Sequence, residues 1–227
     1  MDGLDNFIWN LTKSRLLTVR SFYLYLIDTH PPFRHKSIWK LKIPLKTKIF
    51  LWFLQRGVHL TKDNLAKKNW TGSQRCCGCN SNETIKHLFL DCPYARIVWR
   101  IIFYATGLMP PRSIGHMFDY WLSNQSKKIR GLIWVGVAAV CWAIWRCRND
   151  IIFNKIKVNS ILQVIFRGTY WLRFWAQLQR DEHAKNVLSE MSRNIEIISM
   201  ELVKGGWKQN YHLQYFFICF CRIKNTD

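Results

Sequence analysis

Carboxylates are scarce in this chain. Its 227 residues hold 14 Asp and Glu against 34 Lys and Arg, a formal net charge of +20. The acids stand apart, and Asp181-Glu182 is the single adjacent pair. That thinness argues against chemistry built on paired carboxylates, such as the clamping of two metal ions. An apolar run long enough to cross a bilayer is also missing. The stretch GLIWVGVAAVCWAIW at 131–145 is uncharged for fifteen residues, where a spanning helix needs about 20. Arg130, Arg146 and Arg148 crowd its ends, so a buried core helix and no membrane partner are expected. The tail piece YFFICFC at 215–221 is shorter still. The opening MDGLDNFIWN has no basic start leading into an apolar run, so no secretory signal is expected. No repeat or low-complexity tract stands out. His30, His35, His59, His116, His183 and His212 have no Ser, Cys or carboxylate partner at catalytic spacing. The expectation is a protein that is not an enzyme and takes no small-molecule substrate.

Apolar and aromatic residues are abundant. Hydrophobic residues make up 49% and aromatic residues 15%, with twelve Trp. Such a chain can bury a core and does not read as disordered. The basic excess calls for a polyanion, because Lys and Arg displace counterions condensed on phosphate. RNA or DNA is therefore the expected partner. The excess is densest from Arg34 to Arg75, with eleven Lys and Arg and one acid, Asp63.

Periodicity and breakers divide the chain into a lead-in at 1–35, a middle domain at 36–109, a helical region at 110–207 and a tail at 208–227. In the lead-in, the order Thr18-Val19-Arg20-Ser21 suggests the end of a short strand and a helix capped by Ser21. In the middle domain, Ser37 caps a short turn. A helix is expected from Leu45 to Gly57, and another from about Thr61. Asp91-Cys92-Pro93 reads as a cap with Pro in the first turn of a helix that carries Ala95, Val98, Trp99, Ile102 and Phe103 on one face. Beyond Pro110-Pro111, Trp134, Ala138, Cys141, Trp142 and Trp145 recur at helical steps. So do Tyr170, Phe174, Gln177 and Leu178, with Trp171 and Trp175 beside them. Both stripes are expected to face a core.

Eight cysteines are present, and they do not space out as a disulfide framework. Instead the segment RCCGCNSNETIKHLFLDCPYARIVW at 75–99 gathers Cys76-x2-Cys79, His87 and Cys92. Three thiolates and one imidazole suit a tetrahedral zinc ion. Four protein donors close its shell, which marks a structural and not a catalytic site. A slightly irregular turn ahead of Pro93 would bring His87 and Cys92, five residues apart, to the same side. Gly78 eases the reversal between the first two cysteines. Cys77 is a competing thiol, but Cys77-x-Cys79 is too tight for the usual turn, and Cys76 is preferred. Free thiols and a metal site point to a reducing compartment, nucleus or cytoplasm, and not to secretion.

These strings resemble the zinc-binding domain of plant non-LTR (LINE-type) retrotransposon reverse transcriptases. There a Cys-x2-Cys step precedes Glu-Thr-x-x-His-Leu-Phe-x-x-Cys-Pro, here Glu83 to Pro93. The upstream IWKLKIPLKTKIFLW at 38–52 and LTKDNL at 60–65 agree, as do Trp9 with TVRSFY at 18–23 and the downstream CWAIWR and RND at 141–150. Cys77 departs from the usual Pro and Asn80 from a common Gly. The resemblance implies a module that helps a reverse transcriptase engage template RNA or target DNA. No Tyr-x-Asp-Asp string and no ribonuclease H carboxylate set accompany it. The reading is a mainly helical protein with a small CCHC zinc lobe in its middle and short strands near the N-terminus. It would bind nucleic acid through Lys40, Lys42, Lys46, Lys48, Lys67, Lys68 and Arg75, with Trp52 and Trp70 as candidates for base stacking. Two other readings stand beside it: a zinc-stabilised helical scaffold that binds proteins, and a retroelement remnant without function.

Overall fold

A computed structural model describes residues 18, 21, 37–156 and 160–204. The chain forms two compact units, Met1–Ser37 and Ile38–Asp227. In the first, the Thr18 amide donates to Ser21 Oγ at 2.9 Å and the Ser21 amide donates to Thr18 Oγ1 at 3.0 Å. This reciprocal pair puts the cap at Thr18 and Ser21 inside the helix. The sequence pattern sets the cap three residues too late, because it overlooks that one exchange satisfies two free amides. The short strands expected near the N-terminus lie outside the described residues.

The described elements are helical: α1 (Ser37–Lys40), α2 (Leu45–Arg56), α3 (Lys62–Ala66), a π-helical turn (His87–Asp91), α4 (Pro93–Thr106), α5 (Ile114–Asp119), α6 (Lys127–Ile152), α7 (Ile161–Ala176) and α8 (Glu182–Lys204). Punctuation in the sequence explains most of the boundaries. Pro44 precedes α2, and Gly57 ends it at φ 68, a left-handed conformation that favours glycine. Ser113, Ser126 and Ser160 cap α5, α6 and α7 by accepting the amides of His116, Ile129 and Leu162.

Helices α6, α7 and α8 pack in sequence, and α4 lies against α8. Small residues let α6 and α7 approach. A methyl group built on Gly168 would lie 3.7 Å from Ala143 Cβ and 3.8 Å from Val140 Cα. Of its apolar stripe, helix α6 buries Trp134, Ala138 and Cys141, and Trp142 and Trp145 pack half-buried against the core. It runs further than the fifteen-residue apolar stretch, because it continues through Arg146 and a buried Arg148. Its length and composition would suffice to cross a membrane, yet half of the qualifying window is buried inside the protein.

The second stripe is corrected by the structure. Tyr170 and Phe174 are 54% and 51% exposed, and Leu178 is exposed too. The face that α7 buries carries Val164, Ile165, Gly168, Leu172 and Trp175. Both faces of this helix are apolar, so periodicity finds a stripe without saying which one points inward.

Under α2, His59 sits among rings. Its Nε2 lies 2.9 Å from the Phe50 carbonyl, and Phe50 and Trp145 stack within 4.6 and 4.8 Å of it. Burial, aided by the charge of Arg148 and resisted by the Phe50 carbonyl, lowers its pKa from the ordinary 6.5. The unfolded chain therefore takes up a proton near pH 6.5 that the folded protein refuses, and stability falls as pH drops through that value. Urea unfolding at about pH 7.5 and about pH 5.5 should show a smaller loss for His59→Gln than for the parent protein.

Candidate metal centre

The centre is built from two pieces of backbone. The first is the loop that follows α3. The Cys76 amide donates to the Ser81 carbonyl at 2.8 Å, and the Glu83 amide donates to the Gln74 carbonyl at 2.9 Å. These bonds, with an antiparallel bridge between Arg75 and Asn82, fold the loop back on itself. Cys76 and Cys79 stand within the fold-back. The Gly78 amide donates to Cys76 Sγ at 3.4 Å, a contact that supports negative charge on the sulfur. Gly78 does not adopt left-handed backbone. Its lack of a side chain serves space instead, since a Cβ there would lie 2.9 Å from the Tyr94 ring.

The second piece is the π-helical turn. The Thr84 hydroxyl accepts the His87 amide at 3.0 Å. The turn then closes with the Cys92 amide on the His87 carbonyl at 2.7 Å, an i to i+5 bond. The wider turn that this closure makes brings His87 and Cys92 towards the same side, which an α-helix of 3.6 residues per turn would not do. This is the irregular turn that the spacing calls for. Leu88, Phe89 and Leu90 anchor it in the core, and the Trp99 indole donates to the Phe89 carbonyl at 2.8 Å. Cys92, not Asp91, is the N-cap of α4, and Pro93 occupies the first turn.

The donor atoms of Cys76, Cys79, His87 and Cys92 all lie within 4.8 Å of one another. Cys76 Sγ is 3.9 Å from Cys92 Sγ, and Cys79 Sγ is 3.1 Å from His87 Nε2. A tetrahedral zinc ion with metal–sulfur bonds of about 2.3 Å has sulfur–sulfur edges of about 3.8 Å. The donor types and their separations fit that ion. Cys76 and Cys92 are buried, while Cys79 and His87 are half-buried.

Hydrogen bonds from Cys77 and then Cys92 draw the Cys76 thiol far below the ordinary thiol range. Cys77 moves the opposite way. Its hydrogen bond to Cys76, then burial, then the charges of Cys76 and Glu83 push it up. Cys92 is likewise pushed up, first by its hydrogen bond to Cys76. Within this hydrogen-bonded trio, negative charge therefore settles most readily on Cys76. Cys77 shares a second group with Cys76 and Glu83 and is not one of the four converging donors.

The sequence motifs contain the two residues that hold this loop from outside but do not connect them. Arg148 of α6 donates to Glu83 Oε1 from Nη2 at 2.6 Å and from Nε at 3.1 Å. The two side chains are 2% and 0% exposed. The Lys62 amide reaches the same carboxylate oxygen at 3.1 Å, and Arg148 also donates to the Leu60 carbonyl at 3.2 Å. Glu83 and Arg148 both fall in the quoted motifs, but no spacing rule couples residues 65 positions apart.

Of the sequence-predicted basic set, Lys40, Lys42, Lys46, Lys67, Lys68 and Arg75 are exposed. Lys48 is half-buried, and its Nζ donates to the Trp39 carbonyl at 3.0 Å. Lys62 Nζ donates to the Arg75 carbonyl at 2.5 Å, and Arg75 Nη1 donates to the Asn80 carbonyl at 2.6 Å. Helix α2 contains no acid. Trp52 is half-buried with its ring 5.1 Å from Phe53, whereas Trp70 is exposed.

Residues 17–99 match the family model described as zinc-binding in reverse transcriptase. This stretch is similar to the reverse-transcriptase zinc-binding domain. All four converging donors fall inside it, so the family and the geometry agree on zinc as the metal. An Arabidopsis thaliana protein that carries a provisional ribonuclease H name is 27% identical over 165 residues. That alignment covers 66% of this chain and 26% of the relative, so the chain spans about a quarter of the protein it matches. No solved structure matches significantly. The zinc-binding domain ends at residue 99 by this match, inside α4, while its buried arginine partner comes from α6.

Proposed function

We propose that the chain is a retroelement-derived, non-catalytic nucleic-acid-binding protein whose zinc-binding domain is held by one structural zinc. Cys76, Cys79, His87 and Cys92 are the ligands. Their convergence is the observation that carries the reading. Four protein donors leave no open position for a reacting water, so the ion supplies rigidity and not chemistry. What it makes rigid is a lobe whose surface presents Lys40, Lys42, Lys46, Lys67, Lys68 and Arg75 to solvent. Exposed cations with few acids between them suit a phosphate backbone. The ribonuclease H name of the Arabidopsis relative supports a nucleic-acid setting.

Binding to a labelled oligonucleotide at rising salt tests this reading. Affinity is expected to fall steeply, with a log–log slope that grows by about 0.7 for each single-strand phosphate neutralised. Changing Lys40, Lys42 and Lys46 together to Gln should flatten that slope by about 2 while leaving zinc content unchanged. One observation favours a protein scaffold instead, the exposed apolar stripe of Phe166, Tyr170, Phe174 and Leu178 on and beyond α7. Absent or salt-insensitive nucleic-acid binding would decide for it.

A further inference from the structure

We infer that Trp70 is a stacking platform for one unpaired base of a single-stranded nucleic acid, with Lys67, Lys68 and Arg75 placed for the phosphates around that base. The inference rests on the nucleic-acid reading above and gives it a contact point and a strand preference.

The backbone prepares the indole. Helix α3 stops at Ala66, and Asn69 takes a left-handed conformation at φ 64, which Asn tolerates better than most residues. The Lys68 and Trp70 amides both donate to the Leu65 carbonyl, at 2.9 and 3.2 Å. These bonds fix the direction in which the chain leaves the helix. The six-membered ring of Trp70 then rests against Gly72. A Cβ on that glycine would fall 2.0 Å from Cζ2 and 2.4 Å from Cη2, so no other residue fits beneath the ring without moving it.

Trp70 lies outside the hydrophobic core and takes part in no aromatic pair among the described residues. It is 40% exposed. The exposed part of the indole remains available to a flat partner. The chemistry around it selects the partner. From Asn64 to Asn82 the sequence carries Lys67, Lys68 and Arg75 and no acid. The acids on either side are occupied, Asp63 by the Thr61 hydroxyl and Glu83 by Arg148. An exposed indole in a stretch that carries cations and no acid fits a base with its adjoining phosphates. A duplex hides its base faces, so the occupant is single-stranded.

The test uses the full, zinc-loaded chain and fluorescence anisotropy with a labelled single-stranded oligonucleotide and a duplex of the same length. Trp70→Ala is expected to weaken single-strand binding by about tenfold, within the range seen when one base stack is removed. Duplex binding should stay within about twofold, because phosphate contacts persist. Trp70→Phe should recover most of the loss, since it restores an aromatic face. Zinc content and helical circular dichroism should match the parent in both variants. Unchanged single-strand affinity in Trp70→Ala overturns the inference, as does an equal loss for both strand types. If the parent protein binds neither oligonucleotide, the broader reading has failed and this one falls with it. If the parent binds with the expected salt dependence and Trp70→Ala is silent, only the stacking role is lost.

Discussion

Cys92→Ser is expected to strip zinc from the protein and to open the lobe around it. Zinc bound to small Cys/His modules contributes about 10–16 kcal/mol at neutral pH, more than the whole stability of a typical domain. A serine hydroxyl does not ionise at neutral pH and is a poor zinc ligand. Position 92 also caps α4 and closes the π-helical turn through its amide, so loss of the metal frees both elements at one point. Mass spectrometry under native conditions should find one zinc per chain in the parent and none in the variant. Cys77→Ser should keep its zinc, because Cys77 sits with Cys76 and Glu83 and not among the four converging donors. Amide exchange should rise sharply over residues 74–92. The α6–α7–α8 core, with Trp175, Leu188 and Ile198 fully buried, should stay protected. Zinc retained by Cys92→Ser would sink the ligand set.

The second large effect is expected at Arg148. Replacing it with Met leaves the Glu83 carboxylate in a site of 0% exposure with its cation gone. Removing one member of a buried ion pair costs about 3–5 kcal/mol, because the remaining charge has lost its water and its partner alike. Glu83→Gln/Arg148→Met should recover much of that loss, since an amide oxygen still accepts the Lys62 amide without carrying charge. Urea unfolding of the zinc-loaded proteins measures both. Equal stability for the single and double variants would show that the pair is not coupled as its 2.6 Å contact implies.

Much of the metal centre is legible in the amino-acid sequence. Ligand types and the Cys-x2-Cys step identify zinc chemistry directly, and the five-residue gap from His87 to Cys92 already demands a wide turn. Pro44, Gly57 and Pro93 mark helix ends because each acts on its own backbone. Sequence patterns mislead wherever the answer lies in another part of the chain. Tyr170 and Phe174 share a helix with equally apolar neighbours, and only contact with α6 and α8 decides which face is inside. Gly78 has the look of a flexible turn residue, yet its need is clearance for Tyr94, sixteen positions on. The Glu83–Arg148 pair escapes local patterns for the same reason. The serine caps of α5, α6 and α7 are local features, but they lie in a region that periodicity leaves undivided.

That pair has a consequence for where this domain begins and ends as an object that folds. The family segment closes at residue 99, and a fragment cut there would retain the acid while discarding the base that neutralises it. Such a fragment would have to protonate its stranded glutamate or flood it with water. The smallest autonomous piece is therefore expected to extend past position 148, with the helices downstream as part of the frame around the metal loop.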